Sequence, residues 1–153
     1  MKSDNYNLTN ISTYQAGVVQ AAVNRILQKR CDEILKPFGI TKNHWLVIGL
    51  VSDSNNKGLR IGDIATELGT TFAYLSNTIN NLESKKILIR QTDVNDARSK
   101  SVIIHKKFLP QIPKIEAALR DSLRETIYST VSPEDFRTYI KVLFQLQATD
   151  ENS

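Results

Sequence analysis

The sequence predicts a mainly α-helical domain of the α+β class, in which several helices accompany one β-hairpin. Apolar residues recur at three- and four-residue spacing along most of the chain, which is typical of amphipathic helices. Two short apolar runs, 87–89 and 102–104, flank a polar segment and predict the hairpin. A length of 153 residues, with 41% hydrophobic and 24% charged residues, fits one globular domain.

The first two helices are separated by a helix-ending segment. Helical periodicity begins at Tyr14 and ends at Pro37 and Gly39, and its apolar positions are Val19, Val23, Ile26, Leu27, Cys31, Ile34, Leu35 and Phe38. Thr41 is the predicted N-cap of a second helix that carries Trp45, Ile48, Leu50 and Val51. Residues 52–58 are rich in turn formers and predict a loop.

A helix-turn-helix corner is predicted next. The apolar stripe Ile61, Ile64, Ala65 and Leu68 ends at Gly69, which suits the position after a helix end. Thr70 or Thr71 then caps a helix whose inward residues are Leu75, Ile79 and Leu82. Three residues between two helices leave room for little except a tight corner.

Two more helices follow the hairpin. Helical spacing resumes near Pro110 and Pro113 and continues through Ile112, Ile115, Leu119, Leu123, Ile127 and Val131. Ser132 and Pro133 start a last helix. Residues 41–108 are therefore predicted to form a winged helix-turn-helix domain, preceded in residues 1–40 by an N-terminal arm and a helix. The long outer helices, in residues 1–40 and 109–153, are expected to bury their apolar stripes against a second copy in a homodimer.

The second helix of the corner has an unusual outward face. Its outward residues at helical spacing are Phe72, Tyr74, Ser76, Asn77, Asn80 and Asn81. Asn is a poor helix former, and a solvated face more often carries Lys and Glu. Asn amides can bond adenine edges in the major groove, so this face predicts DNA recognition. The alternative is a merely polar helix face.

The hairpin region is basic. Between Lys85 and Lys107 the chain has seven basic residues and two acidic ones, which suits a polyanionic partner, although a solvated basic surface is the alternative. Arg98 could enter a narrow A·T-rich minor groove while Asp96 orients it, and Lys100 and Arg90 could reach phosphates. A surface ion pair within the hairpin is the other interpretation of Arg98.

The chain resembles the MarR family of winged-helix transcription regulators. The resemblance rests on Gly39-Ile40-Thr41, on Ile64-Ala65-Thr66-Glu67-Leu68-Gly69, on Leu75-Ser76, on the run from Leu82 to Arg90, and above all on the Asp-x-Arg pattern within Asp93 to Val102. It implies a homodimer that binds double-stranded DNA through the outward face of the second corner helix, with Thr70 and Thr71, and through the wing. The chain departs from the family pattern at Lys86, where Gly is usual, at Asn77 and Asn81, where basic residues are common, and at His105 and Phe108. Lys86 must then adopt the left-handed backbone conformation that glycine favours, or the helix must end with a different turn.

The resemblance also raises two further possibilities. Family members bind small aromatic or phenolic effectors, and Tyr14, Phe38, His44 and Trp45 are the candidate ligand-binding residues here. The alternative is core packing for Trp45 and a surface or hydrogen-bonded His44. Some relatives sense oxidants through a cysteine, but Cys31 lies in an apolar stripe with no second cysteine, so redox sensing is not expected.

Other classes of function find little support. The chain has no Gly-rich phosphate loop, no nucleophile elbow and no acid pair with catalytic spacing, so we expect no enzyme. Cys31, His44 and His105 are too few for a zinc cluster, and we expect no metal or other cofactor. No apolar run is long enough to span a membrane and no secretory signal is visible, so we expect a cytoplasmic protein without a membrane partner.

Two functions remain open from the sequence. The first is a homodimeric, sequence-specific transcriptional regulator, a repressor on a pseudo-palindromic DNA site that a small ligand could release. The second is a protein-interaction module that keeps the winged-helix dimer but has lost DNA binding. The neutral face of the second corner helix favours the module, whereas the Asp96-Ala97-Arg98 wing and the basic hairpin favour the regulator.

Overall fold

A computed structural model describes residues 10–92 and 100–149 of the chain. This part contains six α-helices and a three-stranded antiparallel sheet, which confirms the predicted fold class. The elements in chain order are α1 (Thr13–Leu35), α2 (Lys42–Asp53), β1 (Leu59–Arg60), α3 (Ile61–Glu67), α4 (Phe72–Ser84), β2 (Leu88–Thr92), β3 (Lys100–Ile104), α5 (Ile112–Thr126) and α6 (Pro133–Gln147). Short 3-10 turns, Lys36–Phe38 and Leu109–Gln111, follow α1 and precede α5.

Side-chain caps start four of these helices. Ser12 and Gln15 form a reciprocal capping box at α1, and Thr41 and His44 form another at α2. Of the two candidate caps for α4, Thr71 is the one used. Ser132 caps α6, as predicted. The predicted caps are therefore correct, because each depends only on residues within three positions of the helix start.

The helix-turn-helix corner closes as predicted. Leu68 ends α3, and Gly69 follows it with a φ of 59°, a left-handed conformation that favours glycine. The Thr70 N–H donates to the Ala65 carbonyl at 2.9 Å and turns the chain into α4. Leu75, Ile79 and Leu82 are buried, so α4 presents its opposite face to solvent.

The sheet has the order β1-β3-β2. Leu88 pairs with Ile104 and Arg90 with Val102 in the hairpin, while Leu59 of β1 pairs with Val102 from the other side. Strand β1 was not predicted, and α2 continues through Asp53, two residues into the predicted loop. Beyond β1, the Asn56 side chain extends the pairing, because its Oδ1 accepts from the Ile104 N–H at 2.9 Å.

The terminal helices differ in how well they are covered. Helix α5 packs along α1 and buries Ile115 and Leu119. Helix α5 ends at Thr126, so the prediction that helical spacing continues to Val131 was wrong; the Val131 N–H instead donates to the Tyr128 carbonyl in a turn. Helix α6 buries no residue. Within the described ranges, no helix combines the length and the apolar character that a membrane crossing requires.

Candidate nucleic-acid interface

Helix α4 carries half of the predicted DNA-contact residues, and the structure places nearly all of these on its open face. Asn77, Asn80 and Asn81 are exposed. Two aromatic side chains are also open to solvent, since Phe72 is 59% and Tyr74 50% exposed. Ser76 and Thr70 are half-buried, and Thr71 has a structural role because its hydroxyl accepts the Tyr74 N–H at 3.2 Å.

The face of α4 divides into two flanks. On the hairpin side, an open groove of about 630 Å³ is lined by Phe72, Ser76 and Asn80 together with Arg60, Ile61, Gly62, Arg90 and Lys100. On the α2 side, the Asn43 Nδ2 donates to the Tyr74 hydroxyl at 3.0 Å. Tyr74 and Thr78 line a crevice of about 340 Å³ there with Asn43, Leu46, Val47, Leu68, Gly69, Thr70 and Leu75. Asn77 lies between the flanks, farthest from the core.

Arg90 joins the hairpin to α4. Its Nη1 donates to the Asn80 Oδ1 at 2.7 Å and forms an ion pair with the Glu83 Oε2 at 2.9 Å. Its Nη2 lies 3.4 Å from both the carbonyl and the hydroxyl oxygen of Ser76. The Arg90 backbone N–H also donates to the Glu83 Oε1 at 3.0 Å. The side chain predicted to contact phosphate is thus committed to contacts within the domain.

The remaining cations lie around the hairpin and the end of α4. Lys100 is exposed, and its Nζ is 3.4 Å from the Thr92 hydroxyl. Lys85 donates to the Gly39 carbonyl at 2.5 Å, while Lys86 is exposed with a φ of 57°. The wing residues Asp96 and Arg98 lie outside the described residues.

The four candidate effector residues do not form one pocket within a single chain. Tyr14 is 71% exposed at the start of α1, whereas Phe38 follows its far end, about 30 Å away along the helix axis. Phe38 and Trp45 pack against the core. His44 uses its Nδ1 to accept the Thr41 N–H at 3.2 Å. These contacts agree with the core-packing alternative for Trp45 and the hydrogen-bonded alternative for His44.

Burial shifts the pKa values of Cys31 and His44. Burial raises the pKa of the Cys31 thiol, which disfavours the reactive thiolate. The positive charge of Lys42 opposes this shift, and the negative charge of Asp32 adds to it. Burial and then the positive charge of Lys85 lower the pKa of His44. Within residues 10–92 and 100–149, no three His, Cys, Asp or Glu side chains are grouped to hold a metal ion.

Two residues of the interface were missed by sequence analysis. Glu83 was named only within the run from Leu82 to Arg90 that carries the family resemblance. Its position one helical turn after Asn80 could have indicated that both side chains bind the same residue, which is Arg90. Asn43 gave no signal, because its contact with Tyr74 joins helices that are far apart in sequence. Asn43 contacts the exposed Tyr74 directly, whereas Glu83 acts on Asn80 through Arg90.

Comparison with known proteins agrees with this architecture. The chain is similar to AbsC, a MarR family transcriptional regulator from Streptomyces coelicolor, with 23% identity over 94% of this chain and 99% of AbsC and a TM-score of 0.79. It is similar to MepR of S. aureus, solved in complex with DNA, with 22% identity over 92% of this chain and 99% of MepR and a TM-score of 0.74. It is also similar to apo wild-type MarR from E. coli, with 16% identity over 90% and 97% of the two chains and a TM-score of 0.73.

These TM-scores and coverages establish a shared fold along most of the chain. The sequence evidence for the family comes from residues 38–99, which match the MarR family model. The matched segment contains α2, the helix-turn-helix corner and the first strand of the hairpin. The chain is therefore similar to the MarR family in sequence over residues 38–99 and in fold over most of its length.

Proposed function

We propose that this protein is a homodimeric, sequence-specific DNA-binding transcriptional regulator whose α4 enters the major groove. The observation that carries the proposal is the exposed face of α4, where Asn77, Asn80 and Asn81 present amide groups. Side-chain amides are among the groups that recognise base edges. The relatives support it, since AbsC is a transcriptional regulator and MepR was solved with DNA.

The charge around α4 fits this role. Lys86, just after the C-terminal end of α4, and Lys100, in the groove on the hairpin side, are exposed and could reach phosphates. We propose that Arg98 of the wing enters the minor groove with Asp96 beside it. Arg90 instead holds α4 against the hairpin, so that the two DNA-contacting elements keep a fixed relative position.

The dimer follows from apolar surface that the single chain leaves uncovered. Tyr14, Val18 and Ile26 are exposed on α1, and Val142, Leu143, Phe144 and Leu146 are exposed on α6. Apolar patches of this kind on helix faces are typical of subunit interfaces. A two-fold dimer would present two copies of α4, which suits a pseudo-palindromic DNA site and repression by occupancy of that site.

We further propose that a small aromatic or phenolic effector releases the DNA by binding in the crevice between α2 and α4. Its walls combine apolar side chains of α2 and α4 with polar groups of Asn43, Thr70, Tyr74 and Thr78, as ligand sites do. p-Hydroxybenzoate should lower the affinity for DNA, and Leu46→Arg should remove that effect. Leu109→Arg is a matched control, because Leu46 and Leu109 are 41% and 40% exposed. Equal release from both variants would contradict this site.

DNA binding is tested by selecting bound fragments from a random library and measuring their affinity by fluorescence anisotropy across a salt series. The wild-type chain should enrich a two-fold related motif. Asn77→Ala should relax the preference at one or two base pairs of each half-site, with little change in affinity for random DNA. Lys100→Ala should weaken binding to all sequences and reduce the salt slope by about 1 for each phosphate that the lysine neutralises.

Lys114→Ala provides the charge control, because Lys114 is exposed on α5, outside both the α4 face and the apolar faces of α1 and α6 that are proposed to form the dimer. It should leave both affinity and sequence preference unchanged. A chain that enriches no sequence and shows no salt-dependent DNA binding would instead be a protein-interaction module with the same fold.

A further inference from the structure

We propose that Asn80 recognises guanine in preference to adenine, because Arg90 holds the Asn80 carboxamide with its amino group directed outward as a hydrogen-bond donor. This inference rests on the proposed DNA-binding function. It makes Asn80 a specificity-determining residue and Arg90 a positioning residue that acts through it.

The orientation of the Asn80 amide follows from the chemistry of its partner. A guanidinium has only donors, so the atom that Arg90 contacts at 2.7 Å must be the carbonyl oxygen of the amide. Arg90 is itself fixed by Glu83, and its backbone N–H donates to the same carboxylate. The oxygen of Asn80 therefore points to the hairpin, and the NH2 group is the part left for a ligand.

The charge of Arg90 strengthens this bias. A cation that donates to an amide oxygen polarises the amide and makes its N–H groups better donors. An unrestrained Asn pairs with adenine through both its oxygen and its NH2 group, because adenine offers an N7 acceptor and an N6 donor. Guanine offers two acceptors, N7 and O6. A carboxamide that presents only donors matches guanine and opposes the adenine N6 amino group.

The neighbouring asparagines provide an internal comparison. Asn77 and Asn81 lie on the same exposed face of α4, outside the groove that Asn80 and Arg90 line. They are free to present either end of the amide. The guanine preference should therefore be confined to the base pair that Asn80 contacts.

The experiment uses the full chain and the DNA motif that it selects. Asn80→Ala identifies the base pair whose preference depends on Asn80. At that base pair the wild-type chain should bind guanine about tenfold more tightly than adenine. Arg90→Ala should bring the two affinities within about threefold of each other, and 7-deazaguanine, which lacks the N7 acceptor, should weaken wild-type binding but not that of Asn80→Ala.

Asn80→Asp tests the same chemistry without removing the Arg90 network. It keeps an oxygen for Arg90 but presents only acceptors, so the preference should move to cytosine, whose N4 amino group is a donor. Lys100→Ala is the control, because it should lower all affinities and leave the guanine-to-adenine ratio unchanged. Native-like circular dichroism and a melting temperature well above the assay temperature establish that the variants are folded, even where Arg90→Ala lowers stability by removing contacts within the domain.

The possible failures are separable. Three results would overturn this inference while leaving the proposed function intact. The wild-type chain could prefer adenine at the Asn80 base pair, or Arg90→Ala could keep the wild-type ratio of guanine to adenine affinity. The third result is that Asn80→Ala alters the preference at no base pair. Failure of the wild-type chain to enrich any sequence would overturn both.

Discussion

Lys86 occupies a conformation that its side chain disfavours. It follows the end of α4 with a φ of 57°, where an L residue with a Cβ costs about 1–2 kcal/mol. Glycine adopts this conformation without that cost but loses more conformational entropy on folding, by about 0.5–1 kcal/mol. Lys86→Gly should therefore raise the free energy of unfolding by about 0.5–1 kcal/mol, measured by urea denaturation at fixed protein concentration.

The neighbouring residue gives the matched control. Lys85 has a φ of −83° and donates to the Gly39 carbonyl, so Lys85→Gly should lower stability. A loss of stability in both variants would show that the left-handed turn at Lys86 is not strained.

His44 makes the stability of the domain depend on pH. Burial and Lys85 lower its pKa in the folded chain, against the opposing effect of Asp32, and its Nδ1 must be unprotonated to accept the Thr41 N–H. The unfolded chain therefore binds a proton more readily, so stability should decrease as the pH falls below about 6.5. Urea denaturation at a series of pH values should show this decrease, and a smaller one in His44→Gln. An NMR titration that placed the pKa of His44 above 6.5 would contradict it.

A feature of the site could be predicted from the sequence only where the residues that form it lie close together along the chain. The asparagine face of α4 was predictable, because residue type and helical spacing determine which side chains face outward. The contact of Arg90 with Asn80 and Glu83 was not predictable, because it depends on how the hairpin packs against α4. The structure thus adds contacts within the domain to a residue that the sequence predicts to contact phosphate.

At the scale of elements, Gly58 directly precedes β1 and has a backbone conformation that favours glycine. Its φ is 92°, and a Cβ at this position would lie 2.7 Å from the Gln91 Nε2 and 2.9 Å from the Ser101 Oγ. Gly58→Ala should therefore destabilise the protein by about 2–3 kcal/mol through backbone strain and displacement of these side chains. Thermal or urea unfolding measures the loss.

Gly69→Ala is the comparison for Gly58→Ala. Gly69 has a φ of 59°, but a Cβ there would meet nothing within 4 Å. This variant should cost only about 1 kcal/mol, the conformational part alone. Equal losses at the two positions would mean that Gln91 and Ser101 move aside freely.

Elements with local signals were predictable, and elements that depend on a partner were not. Helices α2 and α6 begin at predicted caps, and the predicted glycine, Gly69, directly follows the C-cap of α3. Strand β1 has two residues, too few for a period, and exists because β3 pairs with it. Val131 continued the apolar spacing of α5, but the chain turns at Tyr128, whose ring packs edge-on against Phe136 at 4.7 Å between centroids.

At the scale of the whole molecule, the exposed apolar faces of α1 and α6 predict a dimer in solution. Phe144 is 66% exposed on α6, and Phe144→Glu should convert the dimer to a monomer by placing a charge in the interface. Light scattering at micromolar concentration measures the mass. The variant should also lose most of its affinity for the two-fold DNA site, because a monomer contacts only one half-site.

Ile89→Glu serves as the control, because Ile89 is an exposed apolar residue on the hairpin and not on a terminal helix. It should remain a dimer. A wild-type chain with the mass of a monomer would contradict the proposed assembly and the pseudo-palindromic site that depends on it.

Helix α6 has the fullest set of local start signals in the described chain although it buries no residue. The Ser132 hydroxyl accepts the Asp135 N–H at 3.0 Å, Pro133 lies in the first turn, and Glu134 and Asp135 complement the helix dipole. These local signals favour the helical backbone of α6 within the single chain. In the proposed dimer, association would therefore order side chains more than backbone, which lowers the conformational part of its entropy cost but not the loss of translational and rotational freedom.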